Sequence, residues 1–145
     1  MKIIQLSLFL ENKPGQLLRI CQILAQAQLN LVTLCLADTQ QFGILRLILR
    51  DWQKAKELLE AHGFVATTTE VVAIEVEDRP GGMARILEIL AERQINIEYL
   101  YAFTFKRGDK AVVVFRFDRP DEAIAALQQS GQNVLGPVEI YGEAA

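Results

Sequence analysis

Hydrophobic positions at the start of the chain first repeat with the period of a β-strand and then with the period of a helix. Residues 2–10 alternate as in a strand. After Pro14 and Gly15 the apolar residues recur at spacings of three and four, which predicts a helix with one buried face formed by Leu17, Ile20, Cys21 and Leu24. Pro14 is expected in the first helical turn, where its missing N–H costs nothing. Asn30 is expected to end the helix in the left-handed conformation.

This pattern returns with a constant shift of 66 residues, so the chain is a tandem repeat. The segment Glu11–Gly15 reappears as Glu77–Gly81, and the helix predicted after it ends at Asn96 and presents Met83, Ile86, Leu87 and Leu90. Ten of the twenty positions in residues 11–30 and 77–96 are identical, at Glu11/Glu77, Pro14/Pro80, Gly15/Gly81, Arg19/Arg85, Ile20/Ile86, Ile23/Ile89, Leu24/Leu90, Ala25/Ala91, Gln28/Gln94 and Asn30/Asn96.

Each copy continues with two strands and a second helix. The predicted second and third strands are Leu31–Ala37 and Phe42–Leu49 in the first copy, and Ile97–Phe105 and Lys110–Phe117 in the second. Between these strands we predict hairpins at residues 38–41 and 106–109. The second strand of the second copy is longer by two residues, so the shift becomes 68 from there on.

Helix boundaries and the last strands follow from single residues. Asp51 is a predicted N-cap and Pro120 a first-turn residue of the second helices, which are predicted to end at Gly63 and Gly131. Val71–Val76 is predicted to finish the first copy and to begin the second. Val138–Tyr141 is predicted to be the closing strand.

Each copy therefore has the order strand–helix–strand–strand–helix–strand, which predicts an α+β fold of two ferredoxin-like βαββαβ units with antiparallel sheets. We place the first domain at 1–70 and the second at 71–145. In such a unit the helices cover one face of the sheet. On the third strand of the first copy both faces are largely apolar, with Leu45, Leu47 and Leu49 on one and Phe42, Ile44, Arg46 and Ile48 on the other. We therefore expect a homodimer, or a higher oligomer, built through the helix-free faces.

The composition argues against a membrane protein, a nucleic-acid-binding protein and a secreted protein. Hydrophobic residues make up 51% of the 145 residues, yet no apolar run approaches the ~20 residues of a membrane span. The net charge of −3 and the pI of about 5.2 oppose nucleic-acid binding, although Tyr99, Tyr101, Phe103 and Phe105 would suit stacking on bases. The chain starts without a secretory signal pattern, so we expect a cytoplasmic location and no membrane association.

Catalytic chemistry has no candidate residues in this sequence. We find no Ser/His or Cys/His arrangement, no metal-ligand cluster and no phosphate loop of the Walker type. The chain has one histidine, which restricts general-base catalysis at neutral pH. We therefore expect that the protein is not an enzyme and that it needs neither a cofactor nor a metal. Arg46 and Arg116, on the third strands, suit either an interface or a ligand site.

The Pro-Gly loop, the helix after it and the Asn-Leu or Asn-Ile that follows resemble the ACT domain in both copies. This small ferredoxin-like regulatory module occurs beside amino-acid biosynthetic enzymes, and the chain looks like a free-standing tandem ACT protein. The resemblance implies a non-catalytic sensor that binds a small amino acid between its two modules. The alternative is a regulatory subunit that docks on a separate biosynthetic enzyme, as in acetolactate synthase. The sequence does not separate these two forms.

The resemblance also implies which residues bind the ligand, since the family uses the strand–helix loop of one module and the end of the first helix of the other. Carried over position by position, it singles out Asn12, Gly15, Asn30, Asp78, Gly81 and Asn96. A ligand carboxylate would accept hydrogen bonds from the N–H groups of Gly15, Gln16 and Leu17 or of Gly81, Gly82 and Met83. The family often has a polar residue just before the loop, whereas this chain has Leu10 and Val76.

Two half-sites result, the 11–17 loop facing Asn96 and the 77–83 loop facing Asn30. We expect the first to bind more tightly, for two reasons. Asp78 would repel a ligand carboxylate, although it could instead hold the ammonium group. Gly82 would make the second loop more mobile and raise the entropy lost on ordering it.

Overall fold

The computed structural model describes residues 1–39 and 41–143. Its helices and strands are β1 (Ile3–Glu11), α1 (Gln16–Gln26), β2 (Thr33–Thr39), β3 (Phe42–Ile48), α2 (Trp52–Ala61), β4 (Ala66–Glu77), α3 (Gly82–Glu92), β5 (Ile97–Arg107), β6 (Lys110–Phe117), α4 (Pro120–Gln129), β7 (Val134–Leu135) and α5 (Pro137–Glu143). They form two compact units. The N-terminal unit is Ile4–Thr69, and the C-terminal unit is Met1–Ile3 together with the chain from Glu70 onward. No helix among the described residues is long and apolar enough to cross a membrane.

The N-terminal unit has the predicted βαββαβ order. Strand β3 lies between β1 and β2 and is antiparallel to both, so that Leu45 is opposite Leu8 on one side and Leu36 on the other. The start of β4 completes the unit, and the hydroxyl of Thr67 donates a hydrogen bond of 3.4 Å to the carbonyl oxygen of Ser7. Strand β4 is continuous through the end of this unit and into the next, as the double role predicted for Val71–Val76 requires.

Both helices of the N-terminal unit pack on the face of the sheet that carries Leu6, Leu8, Leu45 and Leu47. Helix α1 buries Ile20, Ile23 and Leu24 there, and α2 buries Ala55 and Leu59. The buried face of α1 is therefore rotated from the predicted one, because Ile23 lies in the core while Cys21 is half-buried. The same shift occurs in α3, where Ile89 is buried and Leu87 is exposed.

The C-terminal unit repeats this architecture with one difference at its end. Strand β4 lies between β6 and β7, and β5 pairs with the other side of β6, all antiparallel. The closing strand is β7, whereas residues 138–141 form part of helix α5, so the strand predicted there is wrong. Pro137 suits the first position of a helix, and the carboxylate of Glu139 accepts a hydrogen bond of 2.9 Å from the N–H of Gly136.

The ends of the first helices also differ from the prediction. Pro14 and Pro80 lie in the turns before the helices, and the left-handed residues after them are Gln28 and Gln94, with φ of 59° and 55°. The predicted ends at Asn30 and Asn96 are therefore wrong, since both residues lie beyond the left-handed turn. The predicted boundaries of the second helices are confirmed: Asp51 is an N-cap, Pro120 opens α4, and Gly63 and Gly131 have positive φ.

The two extra residues of the second copy form a bulge in β5. Ala102 is opposite Val113, whereas Lys106 is opposite Ala111, so the register shifts by two residues between these pairs. This shift accounts for the change from 66 to 68 in the spacing of the repeat. In the first copy the predicted hairpin at 38–41 includes Gln40, which lies outside the described residues.

The helix-free face of the N-terminal unit is apolar at one end. Phe9 and Ile44 are directly opposite on β1 and β3, and Phe42 follows on the same face. Phe9 is 68% exposed and Phe42 is 50% exposed, whereas Ile48 at the other end of β3 is fully buried. The apolar series predicted for this face is therefore present, and its exposed part is the Phe9–Ile44–Phe42 patch.

Candidate functional site

Both strand–helix loops are built around a glycine that precedes the helix. Gly15 and Gly81 have φ of 89° and 88°, a conformation that costs other residues steric strain. Each glycine ends a short turn after the strand, and its conformation leads the chain into the first turn of the helix. The first N–H groups of a helix have no intrahelical acceptor, so each loop presents hydrogen-bond donors and a partial positive charge. Such a position suits the carboxylate of a small ligand.

The N-terminal loop is held by backbone hydrogen bonds at its start and is looser at the helix. The N–H of Asn12 donates to the carbonyl oxygen of Gln41 at 2.9 Å, which fastens the loop to the β2–β3 hairpin. The N–H of Gln16 reaches the carbonyl oxygen of Lys13 only at 3.5 Å, near the limit for a hydrogen bond. This donor at the start of α1 is therefore weakly engaged within the chain.

A small cavity of about 80 Å³ lies beside this loop. It brings together three of the predicted ligand residues, Asn12, Gln16 and Leu17. The rest of its lining is Leu10, Glu11, Lys13, Leu36 and Gly43. Polar side chains and the start of α1 thus meet an apolar surface within the N-terminal unit, which is the combination expected of a small-molecule site.

Leu36 and Gly43 were not among the predicted site residues. Gly43 lies within β3 opposite Leu10, and a Cβ atom placed on it would lie 3.0 Å from Cδ1 of Leu36. A glycine within a predicted strand is a sign of close approach, and that signal was present in the sequence. Leu36 had no comparable signal, because its position beside Gly43 depends on strand pairing.

The C-terminal loop has the same backbone turn but is closed at the helix start. Gly82 is buried, and its N–H donates to the carbonyl oxygen of Arg79 at 3.0 Å. A Cβ atom on Gly82 would lie 2.0 Å from the carbonyl oxygen of Glu77. Glycine is therefore required here for a close backbone contact, which corrects the expectation that Gly82 loosens the loop. The corresponding residue of the first loop, Gln16, has a side chain.

Asp78, the counterpart of Asn12, is paired with Lys106. The hydrogen bond from Lys106 to this carboxylate raises the pKa of the lysine. The pair exists because of the bulge in β5, which sets Lys106 opposite Ala111 near the loop. A positive charge beside Asp78 reduces the repulsion that the carboxylate would exert on an anionic ligand. The electrostatic reason for ranking the first loop higher is therefore weaker than predicted.

Charged residues line the spaces around the C-terminal loop. A cavity of about 520 Å³ is lined by Glu77, Arg79, Pro80, Gly81, Gly82, Arg85 and Gln132. A second one, of about 180 Å³, is lined by Glu77, Asp78, Arg79, Asp109 and Lys110. Arg79 is paired with Glu77, so part of this charge is compensated within the loop. The side chain of Met83 packs against the core of the unit, and the role predicted for its N–H stays a prediction.

The remaining predicted residues have separate environments. Asn30 is an exposed residue in the loop between α1 and β2. Asn96 is exposed as well, and its backbone exchanges hydrogen bonds with Asp118, at 3.0 Å to the side-chain oxygen and 3.2 Å from the Asp118 N–H. Arg116 binds Glu98 at 3.1 Å and the carbonyl oxygen of Glu70 at 2.9 Å, so it has a structural role in its sheet. Within residues 1–39 and 41–143, no group of three or more His, Cys, Asp or Glu is arranged to hold a metal ion.

Comparison with known proteins gives an independent result. A family model described as an ACT domain pair matches residues 1–133. A protein from Bacteroides thetaiotaomicron with a known crystal structure has 37% sequence identity to this chain. Its TM-score is 0.90, over 97% of this chain and 96% of that one. The regulatory subunits of aspartate kinase from Thermus thermophilus and Thermus flavus are 19% and 20% identical. The Thermus thermophilus subunit has a TM-score of 0.65, over 89% of this chain and 93% of that one. The Thermus flavus subunit has a TM-score of 0.63, over 88% of this chain and 90% of that one. A search of curated protein sequences finds no significant match.

Substitution of Gly82 by alanine tests the closed form of the C-terminal loop. The added methyl group would collide with the carbonyl oxygen of Glu77, so we expect Gly82→Ala to lower the free energy of unfolding by about 1–3 kcal/mol. Gly142→Ala is the matched control, because this helical glycine has no described atom within 4 Å of the added Cβ. The control should be neutral or slightly stabilising. Urea denaturation measures both, and equal stability of the two variants would contradict the close contact.

Proposed function

Because the chain belongs to the family of ACT domain pairs, we propose that it is a non-catalytic regulatory protein that binds a small amino acid. The family supports the regulatory part of this proposal, and the loops support the ligand. Each loop places helix N–H groups, which suit a carboxylate, at the surface of its unit. In our proposal the bound amino acid changes the state of the protein and is itself released chemically unaltered.

The observation that carries the proposal is the cavity beside the N-terminal loop. Asn12 and Gln16 can donate or accept hydrogen bonds, so they suit both the carboxylate and the ammonium group of an amino acid. Leu10, Leu17 and Leu36 provide apolar surface at the same place. The amino acid would thus find polar and apolar partners within one unit, beside the weakly engaged N–H of Gln16.

We propose that the N-terminal loop is the tighter of the two sites. The N–H of Gln16 is 3.5 Å from its acceptor, whereas that of Gly82 makes a hydrogen bond of 3.0 Å within its own loop. A ligand at the second loop would have to compete with that bond. The contribution of Asn96 to the first site, like that of Asn30 to the second, stays a prediction from the family resemblance.

Binding can be tested by screening the twenty amino acids for thermal stabilisation of the purified protein. A ligand at 100 times its dissociation constant should add about 2.7 kcal/mol to the free energy of unfolding. In calorimetry, Asn12→Ala should weaken binding of that amino acid by about 1–3 kcal/mol, because hydrogen bonds are lost or left unpaired. Asp78→Ala is the matched variant in the other loop and should have the smaller effect. The bound amino acid should be recovered unchanged.

Two results would count against this proposal. If none of the twenty amino acids stabilises the protein, the binding function is wrong. If Asp78→Ala abolishes binding while Asn12→Ala leaves it intact, the ranking of the loops is reversed.

We also propose that the protein forms a homodimer through the Phe9–Ile44–Phe42 patch. Burial of this patch would stabilise the dimer by about 25 cal/mol per Å² before the costs of association. Light scattering at micromolar concentration should give the mass of a dimer, and Phe9→Glu should shift it towards the monomer. Leu18→Glu, on the exposed side of α1, is the control and should leave the dimer intact. A monomeric wild-type protein would contradict the homodimer, and co-purification would then test a biosynthetic enzyme subunit as the partner.

A further inference from the structure

The cavity beside the N-terminal loop has an apolar floor that the C-terminal unit lacks. Its floor is Gly43, whose missing side chain allows the end of Leu36 to lie against the backbone of β3. The counterpart of Gly43 in the C-terminal unit is Ala111, because Gly43 is opposite Leu10 and Ala111 is opposite Val76, the counterpart of Leu10. The counterpart of Leu36 is Ala102, because Leu36 is opposite Leu45 and Ala102 is opposite Val113. Both residues that shape the floor therefore differ between the copies.

Leu36 is unusual in its surroundings. It lies on the helix-side face of the sheet, where Leu45 and Leu8 beside it are fully buried, yet Leu36 is 47% exposed. One of its methyl carbons lies directly over Gly43. An apolar group placed in the cavity would cover Leu36 and remove this surface from water, which is favourable.

The size of the cavity favours a small ligand. A group the size of a water molecule needs about 10–15 Å³ of cavity volume. A cavity of 80 Å³ therefore admits roughly five to eight carbon-sized atoms, including those of the ligand backbone. An aromatic ring together with an amino-acid backbone exceeds this size. The two charged side chains of the lining, Glu11 and Lys13, form an ion pair of 3.0 Å with each other, so the charge that each would offer to the end of a long ligand side chain is compensated.

We propose that this cavity receives the bound amino acid, backbone included, with its side chain against Leu36 and Gly43. These two residues would determine the size of that side chain, so the ligand is an α-amino acid with a short aliphatic side chain. The inference rests on the proposed amino-acid-binding function and adds the class of ligand. It also assigns this selectivity to the N-terminal unit, because Ala111 and Ala102 give the other loop a different surface. There the surrounding spaces are lined mainly by charged residues.

The test is calorimetry of the full chain with glycine, alanine, valine, leucine and phenylalanine. Wild-type protein should bind alanine or valine at least about tenfold more tightly than phenylalanine, since misfit of an apolar group of this size costs about 10–200-fold. Gly43→Ala copies the residue of the other unit and fills the floor. It should weaken valine binding by about tenfold or more and change alanine binding less. Leu36→Ala enlarges the cavity and should shift the preference towards leucine and phenylalanine by about tenfold.

Leu34→Ala is the matched control, because Leu34 lies on the same strand and face, two residues away, but does not line the cavity. It should leave the order of affinities unchanged. The nearest neighbour of the methyl group in Gly43→Ala is the flexible end of Leu36, so this variant should fold, and its melting temperature checks that.

The possible failures are distinguishable. If no amino acid binds the wild-type protein, the proposed function itself is overturned. If phenylalanine binds best, or if none of these five binds although another of the twenty amino acids stabilises the protein, the ligand class is wrong. If Gly43→Ala and Leu36→Ala keep the wild-type order of affinities, the roles of these two residues are wrong while the binding function stands.

Discussion

Gly15 and Gly81 each reverse the sign of φ at the point where a strand ends and a helix begins. This constraint determines the geometry of both loops, because the left-handed turn lets the helix start immediately and lie across the sheet. It also leaves the first N–H groups of the helix beside the end of the strand, where they suit an anionic ligand. A residue with a side chain at either glycine would strain the turn. The fold and the candidate site therefore depend on the same backbone conformation.

The two copies show how one loop can acquire different roles. At the second helix start, Gly82 accepts a close contact with the carbonyl oxygen of Glu77 and donates its N–H to Arg79. The first loop has Gln16 at that position and a longer hydrogen bond, so the N–H of Gln16 is more available than that of Gly82. Lys106 adds a salt bridge to Asp78 in the second copy. We interpret the second loop as a stabilised copy and the first as the main binding loop.

The repeat made the fold predictable from the sequence, because each element was visible twice. The third strand Lys110–Phe117 and the boundary glycines Gly63 and Gly131 were predicted correctly for this reason. The closing strand was not, because Val138 and Ile140 suit a strand as well as a helix. Pro137 at the first helical position and the hydrogen bond from the Gly136 N–H to the Glu139 carboxylate favour the helix. The ends of α1 and α3 were missed because Gln28 and Gln94 adopt the left-handed conformation, which is expected of glycine or asparagine.

The site was only partly predictable. Asn12, Gln16 and Leu17 followed from the loop pattern and do line one cavity. Leu36 and the Lys106–Asp78 pair depend on strand register and on a bulge, which periodicity does not reveal. The close approach of Gly82 to the backbone of Glu77 arises only when the loop has folded, so the sequence pattern did not reveal it. Local pattern thus located the loop, and tertiary pairing determined its shape and charge.

Backbone NMR of the full chain tests the central claim most directly, because it reports on both loops in one titration. On addition of the amino acid that stabilises the protein most, the amide signals of Asn12 and of Gly15 to Leu17 should shift in proportion to occupancy. Those of Gly81 to Met83 should shift less at the same ligand concentration. Shifts confined to the second loop, or absent from both loops while the ligand is bound, would contradict the account.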